Sequence, residues 1–460
     1  MRLSTATLER LPPDVACPAF DRGGQQVGIV HFGLGAFARA HLAACCDDAM
    51  AAGERDWMIC GVSLRSDNVA RQMGPQDGLY TLSERSGQEV RTRVIGSVRE
   101  VLVAGRDAQA IAARIASPAC HIVSFTVTEK GYCRAADVAL DLEAARASFY
   151  PLLATGMKLR MEAGLPGLTL LSCDNLPANG AVLRYLMTQY LTAQAPELLG
   201  WFAAECSCPN AMVDRIVPAT RDADLAGLER RIGLRDEAAV FTESFSQWVV
   251  EDAFAGPRPR WEDCGVQIVA DVAPFEAAKL RMLNGAHSLL AYAGLAAGHE
   301  FVHQAVADPA LRALVQRLML DEAAPTIAVA PAQDLAAYAR RLLQRFSDPA
   351  LNHRLAQIAM DGSQKIPQRW METLRENSQP CPAILTGIAA WLWHISDGRW
   401  LDDPLADRLR DAAVEADLRS RIGAIFGPDG IIGGSWSPSA QDIVTIEQAH
   451  AHMGTAGEVR

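Results

Sequence analysis

The most regular pattern in the chain lies between residues 27 and 53. Residues 27–32 (VGIVHF) form an apolar run that stops at Gly33, and residues 36–52 are alanine-rich and close at Gly53. That pattern predicts a strand, a tight turn and a helix. Residues 57–64 (WMICGVSL) predict a second buried strand. Residues 121–128 (HIVSFTVT) and 168–174 (LTLLSCD) predict two more, each ending in polar residues. Helical patterns separate them, notably over 106–116 and 180–196. Strands alternating with helices predict an α/β fold with a mostly parallel sheet covered on both faces. Such sheets bind ligands beyond the carboxyl ends of their strands. Three polar motifs fall at those ends: GLG (33–35), TEKGY (128–132) and CDNLPANG (173–180).

From about residue 275 the texture changes. The segments 275–295, 299–320, 333–346, 348–360, 380–396 and 403–426 all read as helices with polar breaks. Two domains are expected: 1–274, built on the parallel sheet, and 275–460, mostly α-helical. A chain of 460 residues is too long for one ordinary core, which agrees.

Composition narrows the function. Hydrophobic content of 50% with 21% charged residues describes a soluble globular protein. A net charge of −11 argues against nucleic acid as a standing partner. No run of 18 apolar residues predicts a membrane span, and the N-terminal residues lack an apolar leader. The eleven cysteines include no CxxC pair, so reduced thiols and a cytoplasmic location are expected. No His/Cys ligand cluster points to a catalytic metal.

One bias has chemical weight. Of 43 basic residues only four are lysine: Lys130, Lys158, Lys279 and Lys365. Arginine stays charged at any working pH, so only a lysine can serve where an amine must lose its proton. Lys158 reads as a helix-surface cation. The other three sit in polar, glycine-bearing motifs.

Gly33-Leu34-Gly35-Ala36-Phe37-Ala38 matches the dinucleotide fingerprint in its G-x-G-x-x-A form. Gly33 permits the turn, Gly35 admits a pyrophosphate, and Ala38 allows close packing of helix on strand. The end of the second strand offers Asp67 for the ribose hydroxyls of NAD, and Arg65 for a 2′-phosphate or for stacking on adenine. NAD is favoured. Lys279, Asn284 and His287 share one predicted helix, within an arc of roughly 140° at α-helical spacing. Asn284-Gly285 is a poor helix interior amid apolar neighbours, and a local rule broken there suggests a site rather than a solvated stripe. Lys279 is a candidate general base. His287 alone reads equally as a structural histidine. Asn175 follows a strand, where it either donates to a developing alkoxide or forms an Asx turn capping the next helix.

Eight ordered motifs resemble the long-chain polyol dehydrogenases, the mannitol dehydrogenase family. They are GLGAFARAH (33–41), QDGLYTL (76–82), VTEKGY (127–132), SCDNLPANG (172–180), MVDRIVP (212–218), QWVVED (247–252), KLRMLNGAHS (279–288) and MDGSQKIPQR (360–369). The resemblance implies an expanded Rossmann domain followed by a mostly helical domain, with the substrate between them. It implies NAD as cofactor, no catalytic metal, Lys279 as general base, and Asn284 and Asn175 as an oxyanion hole. His287 would bind substrate hydroxyls, Glu276 would relay protons, and Asp214 would lie near the cofactor and the lysine. Ala38 departs from the family, which commonly has histidine there; any polar role at that position is absent. Within the family the phrasing is nearest fructuronate reductase, acting on the C2 carbinol or ketone of a hexonate, for which Lys365 and Arg369 are candidate carboxylate ligands or structural cations. A hexitol dehydrogenase is the alternative. From another class, a non-catalytic NAD-sensing regulator would need the glycine turn and have no use for Lys279, Asn284 and His287 together.

Overall fold

The structure, a computed structural model, describes residues 1–87, 89–135, 138–331, 333–397, 401–414, 417–434 and 436–453. The chain divides into two compact units, Met1–Val272 and Ala273–Arg460.

The first unit contains β1 (Val27–Phe32), β2 (Met58–Ser63), β3 (Tyr80–Ser86), β4 (Glu89–Ile95), β5 (Val98–Val103), β6 (Ile122–Phe125), β7 (Thr169–Ser172), β8 (Ala211–Asp214), β9 (Val240–Glu243), β10 (Gln247–Glu251) and β11 (Gln267–Val269). Five of them make a parallel sheet in the order β5-β2-β1-β6-β7. Every residue of β1, β2, β6 and β7 is buried, which is why these strands read as unbroken apolar runs. The strand order reverses between β1 and β6, the position at which such sheets open a ligand crevice.

Two smaller sheets were not apparent from the sequence. One joins the β3–β4 hairpin to β9, and the other orders β11-β10-β8. The hairpin carries Glu84, Arg85, Glu89, Arg91 and Arg93, so charge interrupts the apolar signal of its strands. The predicted helix over 36–52 is two pieces, Ala36–Ala40 and Leu42–Ala51, broken at His41 (φ −117°, ψ −87°). The eleven cysteines are all free thiols, and burial pushes several up, Cys45 to about 12.

In the second unit the described elements are helical. Gly285–Ala296 packs against Pro382–Asp397 around Tyr292, Trp370 and Trp391. Gly387 lies so close to the Trp370 ring that a side chain there would meet it at 2.9 Å. The predicted helix over 275–295 is interrupted. An α-helical turn, Ala273–Ala278, passes into a π-helical segment, Lys279–Asn284, before α-helix resumes at Gly285. Two further π-helical segments, Leu318–Ala323 and Pro367–Met371, pack against the first.

Candidate active site

In the first unit, the glycine turn follows β1 directly. Gly33 has φ +91°, and a Cβ there would collide with the Thr126 carbonyl, so the fold itself demands glycine. Gly35 differs. A Cβ on it would meet only Gly33 O, at 3.8 Å. Nothing in the chain's own packing requires glycine at 35, and the space left there has room for the close approach of a ligand's phosphate. Ala38 is buried and Leu34 packs over Gly61 of β2. These residues fit a dinucleotide.

Beyond β2, Arg65 is exposed and Asp67 half-buried. Asp67 stands at the start of the short helix Asn68–Met73 and pairs with Arg71 at 3.3 Å. Phe37 stacks on His41 (5.1 Å between ring centroids), which in turn lies against Trp248 (5.0 Å). Gln247, beside Trp248, is the register partner of the buried Asp214. Phe37, His41 and Trp248 thus form one aromatic patch, and Asp214 lies on β8, the strand paired with the one that carries Trp248. Arg215 ties this patch to the first helix by donating to Ala40 O, Glu84 and Glu243 O.

Asn175 is exposed on the turn after β7. The helix that follows starts at Asn179, with Ala178 in the capping position. Its neighbour Asp174 does work that the sequence reading missed. The Asp174 carboxylate accepts from Val127 N (3.0 Å), Thr128 N (2.9 Å) and the Tyr132 hydroxyl (2.9 Å). Burial pushes its pKa up, against those donors. The clamp holds Thr128 at φ +64°, ψ 165°, a conformation that a side chain strongly disfavours. Asn179 then fastens the turn to β8 through Ala211, donating to its carbonyl and accepting from its N–H. The adjacent polar pair Asp174-Asn175 was the available signal, but sequence alone could not show which carboxylate contacts a loop forty-six residues away.

In the second unit, Lys279 and Asn284 are the first and last residues of the π-helical segment, and both are half-buried. Gly285 N–H bonds to Leu280 O, five residues back. At α-helical spacing Lys279 and Asn284 stand roughly 140° apart. The wider π turn carries residues five apart toward the same face. This corrects the expected arc: the two side chains share a face more closely than an α-helix would allow. Glu276 lies half-buried in the preceding α-turn.

Contacts with residues elsewhere in the unit hold this turn. Arg281, buried, donates to Thr326 O and Oγ1 (2.8 Å each) and to Glu376, with Glu372 at 3.6 Å. Trp370 Nε1 donates to Gly285 O (3.1 Å). Arg369 Nη1 donates to Asn284 O (3.3 Å) and Ser288 Oγ (2.8 Å). Arg369 is thus brought to Asn284 and to His287, whose pKa is held well below its usual value by burial and by His353, Arg345 and Arg369. Burial lowers Arg369 itself to about 10. His287 also lies against Phe346 and His353, at 4.6 and 5.3 Å between ring centroids. Lys365 has main-chain partners: its ammonium donates to Met360 O (2.6 Å) and Ile358 O (3.3 Å), near Asp361 at 3.8 Å. Among the described residues no group of three metal-ligating side chains is found, and no helix is long and apolar enough to cross a membrane.

Comparison with known proteins gives a consistent picture. Residues 27–263 match the family model described as the mannitol dehydrogenase Rossmann domain, and residues 271–423 match that described as the mannitol dehydrogenase C-terminal domain. The oxidoreductase YeiQ of Escherichia coli (strain K12) is 39% identical over 97% of this chain and 96% of its own length. The D-mannonate oxidoreductase of the same organism is 36% identical over 99% of this chain and 98% of its own. The solved structure of Pseudomonas fluorescens mannitol 2-dehydrogenase, a ternary complex with NAD and D-mannitol, superposes with a TM-score of 0.80. It is 35% identical and the match covers 98% of this chain and 96% of that one.

Proposed function

This chain belongs to the mannitol dehydrogenase family of oxidoreductases acting on CH–OH groups, and from that premise we propose that it interconverts a hexonate and its keto-acid, D-mannonate and D-fructuronate, with NAD. The observation that carries the choice of substrate is Arg369. Its guanidinium is seated at Asn284 and Ser288 beside His287, with Arg345 also acting on that histidine. Arg369 spends Nη1 on these contacts, and its fork suits a carboxylate. A polyol supplies no negative charge to offset a half-buried cation; a sugar acid does.

NAD, when bound, supplies the hydride acceptor in the oxidative direction. Gly33, Gly35 and Phe37 would receive it, Asp67 would hold the ribose hydroxyls with Arg65 the neighbouring cation, and Asp214 would lie near the cofactor. Lys279, uncharged, takes the proton from the secondary C2 hydroxyl, and Glu276 passes it on. Asn284 and Asn175 donate to the oxygen as negative charge develops there. His287 stays neutral, since burial and three nearby basic groups oppose its protonation, and so both donates to and accepts from substrate hydroxyls. Lys365 steadies the Met360–Asp361 turn and neighbours Arg369. Reduction of the ketone reverses each role. The test is NADH absorbance at 340 nm during incubation with a panel of ketoses and keto-acids. Turnover is expected with keto-acids first; NADH binding with no turnover on any member would make the chain a nucleotide-binding regulator instead.

A further inference from the structure

A histidine inside a fully buried strand is costly unless its polar atoms are matched. His31 is fully buried in β1, two residues before Gly33. Its Nδ1 lies 2.8 Å from Ser124 Oγ and its Nε2 lies 2.9 Å from Thr126 Oγ1. Thr126 Oγ1 in turn donates to Gly33 O at 2.7 Å.

The direction of this chain is forced. A hydroxyl has one proton, and Thr126 spends it on Gly33 O. Thr126 therefore accepts from His31, so Nε2 carries the hydrogen. Nδ1 is then bare and accepts the Ser124 hydroxyl proton. Burial holds the His31 pKa at about 4, so the ring is neutral and the polarity single near pH 7. At the far end, Gly33 O also receives Gly35 N–H at 2.6 Å. Both lone pairs of that carbonyl are committed. An acceptor oxygen turned toward an arriving phosphate would repel it; one held by two donors is kept from facing the anion, while Gly33 N–H is itself committed to Val62 O.

We propose that His31 is a positioning residue for the dinucleotide: through Thr126 it fixes the Gly33 carbonyl and so the shape of the turn that receives the pyrophosphate. The proposal rests on the reading of that turn as the NAD site. Two measurements on the full chain separate the two. Titration with NADH, followed by fluorescence, compares the unmodified protein with Thr126→Val, which is nearly isosteric but lacks the hydroxyl, and Thr126→Ser, which restores it. Thr126→Val should bind NADH about tenfold more weakly. Its KM for NADH should rise without a matching rise in KM for the ketone, and Thr126→Ser should recover most of the affinity. In parallel, ¹⁵N NMR of the unmodified protein at pH 7, assigned with His31→Phe, should show His31 protonated at Nε2 and bare at Nδ1. Unaltered NADH affinity in Thr126→Val overturns the proposal. So does an Nδ1–H or doubly protonated His31, a result that needs no folded Thr126 variant. If the unmodified protein binds no NADH, the reading of the turn has failed, and this proposal falls with it.

Discussion

The glycine turn of the first unit and the lysine helix of the second secure their chemistry by opposite means. The turn is set by main chain: Gly33 donates to Val62 O, its carbonyl accepts from Gly35 N–H, and its missing side chain is imposed by the Thr126 carbonyl. The lysine helix is set by side chains. Its π-helical segment is gripped by Arg281 through Thr326 and Glu376, and by Arg369 and Trp370 at Asn284 O and Gly285 O. A phosphate needs donors and room, which backbone supplies. The base and oxyanion donor proposed at Lys279 and Asn284, five residues apart, need one face, which an ordinary helix denies them. Departure from α-helical bonding is uncommon and so is held from outside.

The comparison breaks most sharply if the lysine helix is not where chemistry occurs. Lys279→Ala should lower kcat by ~10²–10⁴ while NADH still binds, because the cofactor turn belongs to the other unit. Lys279→Arg should be nearly as damaging, since a guanidinium cannot accept the proton. Steady-state kinetics and an NADH titration on the same preparations decide it; near-normal turnover at every pH tested removes Lys279 as the base.

If side chains hold the π turn, loosening them should be felt there and not at the glycine turn. Arg281→Met strands Glu376 and the Thr326 carbonyl, and should cost about 2 kcal/mol in denaturant unfolding; both carboxylate partners are more than a third exposed, which keeps the figure small. It should also lower kcat with little change in the NADH dissociation constant. An equal loss in NADH affinity would mean that the two regions are not independent in the way described.

A smaller effect is expected at the first unit's rim. Asp67→Ala should weaken NAD by several-fold, on the order of 1 kcal/mol for one half-buried hydrogen-bonding group, and should narrow the preference over NADP. Tighter binding of NADP than NAD by the unmodified protein would assign the position to Arg65 instead.

How much of this was legible in the sequence follows the same division. Buried parallel strands write themselves as apolar runs, and β1, β2, β6 and β7 lie where those runs are, with the glycine motif at their mouth. The β3–β4 hairpin was not seen because its charged residues mask the alternation. The π turn was invisible for a different reason. KLRMLN satisfies α-helical periodicity, and the choice of π bonding depends on Arg281, Arg369 and Trp370 finding partners that are forty to ninety-five residues away. The oddity of Asn284-Gly285 marked the place without revealing the geometry. Asp174, Asn179 and His31 were passed over because each looks local until its distant partners are known.

The assignment of a sugar acid as substrate is tested most directly by kcat/KM for D-fructuronate against D-fructose with NADH, in the unmodified protein and in Arg369→Met. A charge-assisted contact to a carboxylate is worth roughly 1.5–3 kcal/mol, or one to two decades of preference. Fructuronate should therefore lead by that margin, and Arg369→Met should erase the lead while leaving residual ketose reduction. If fructose is reduced as well or better by the unmodified protein, the chain is a hexitol dehydrogenase, and Arg369 serves the π turn alone.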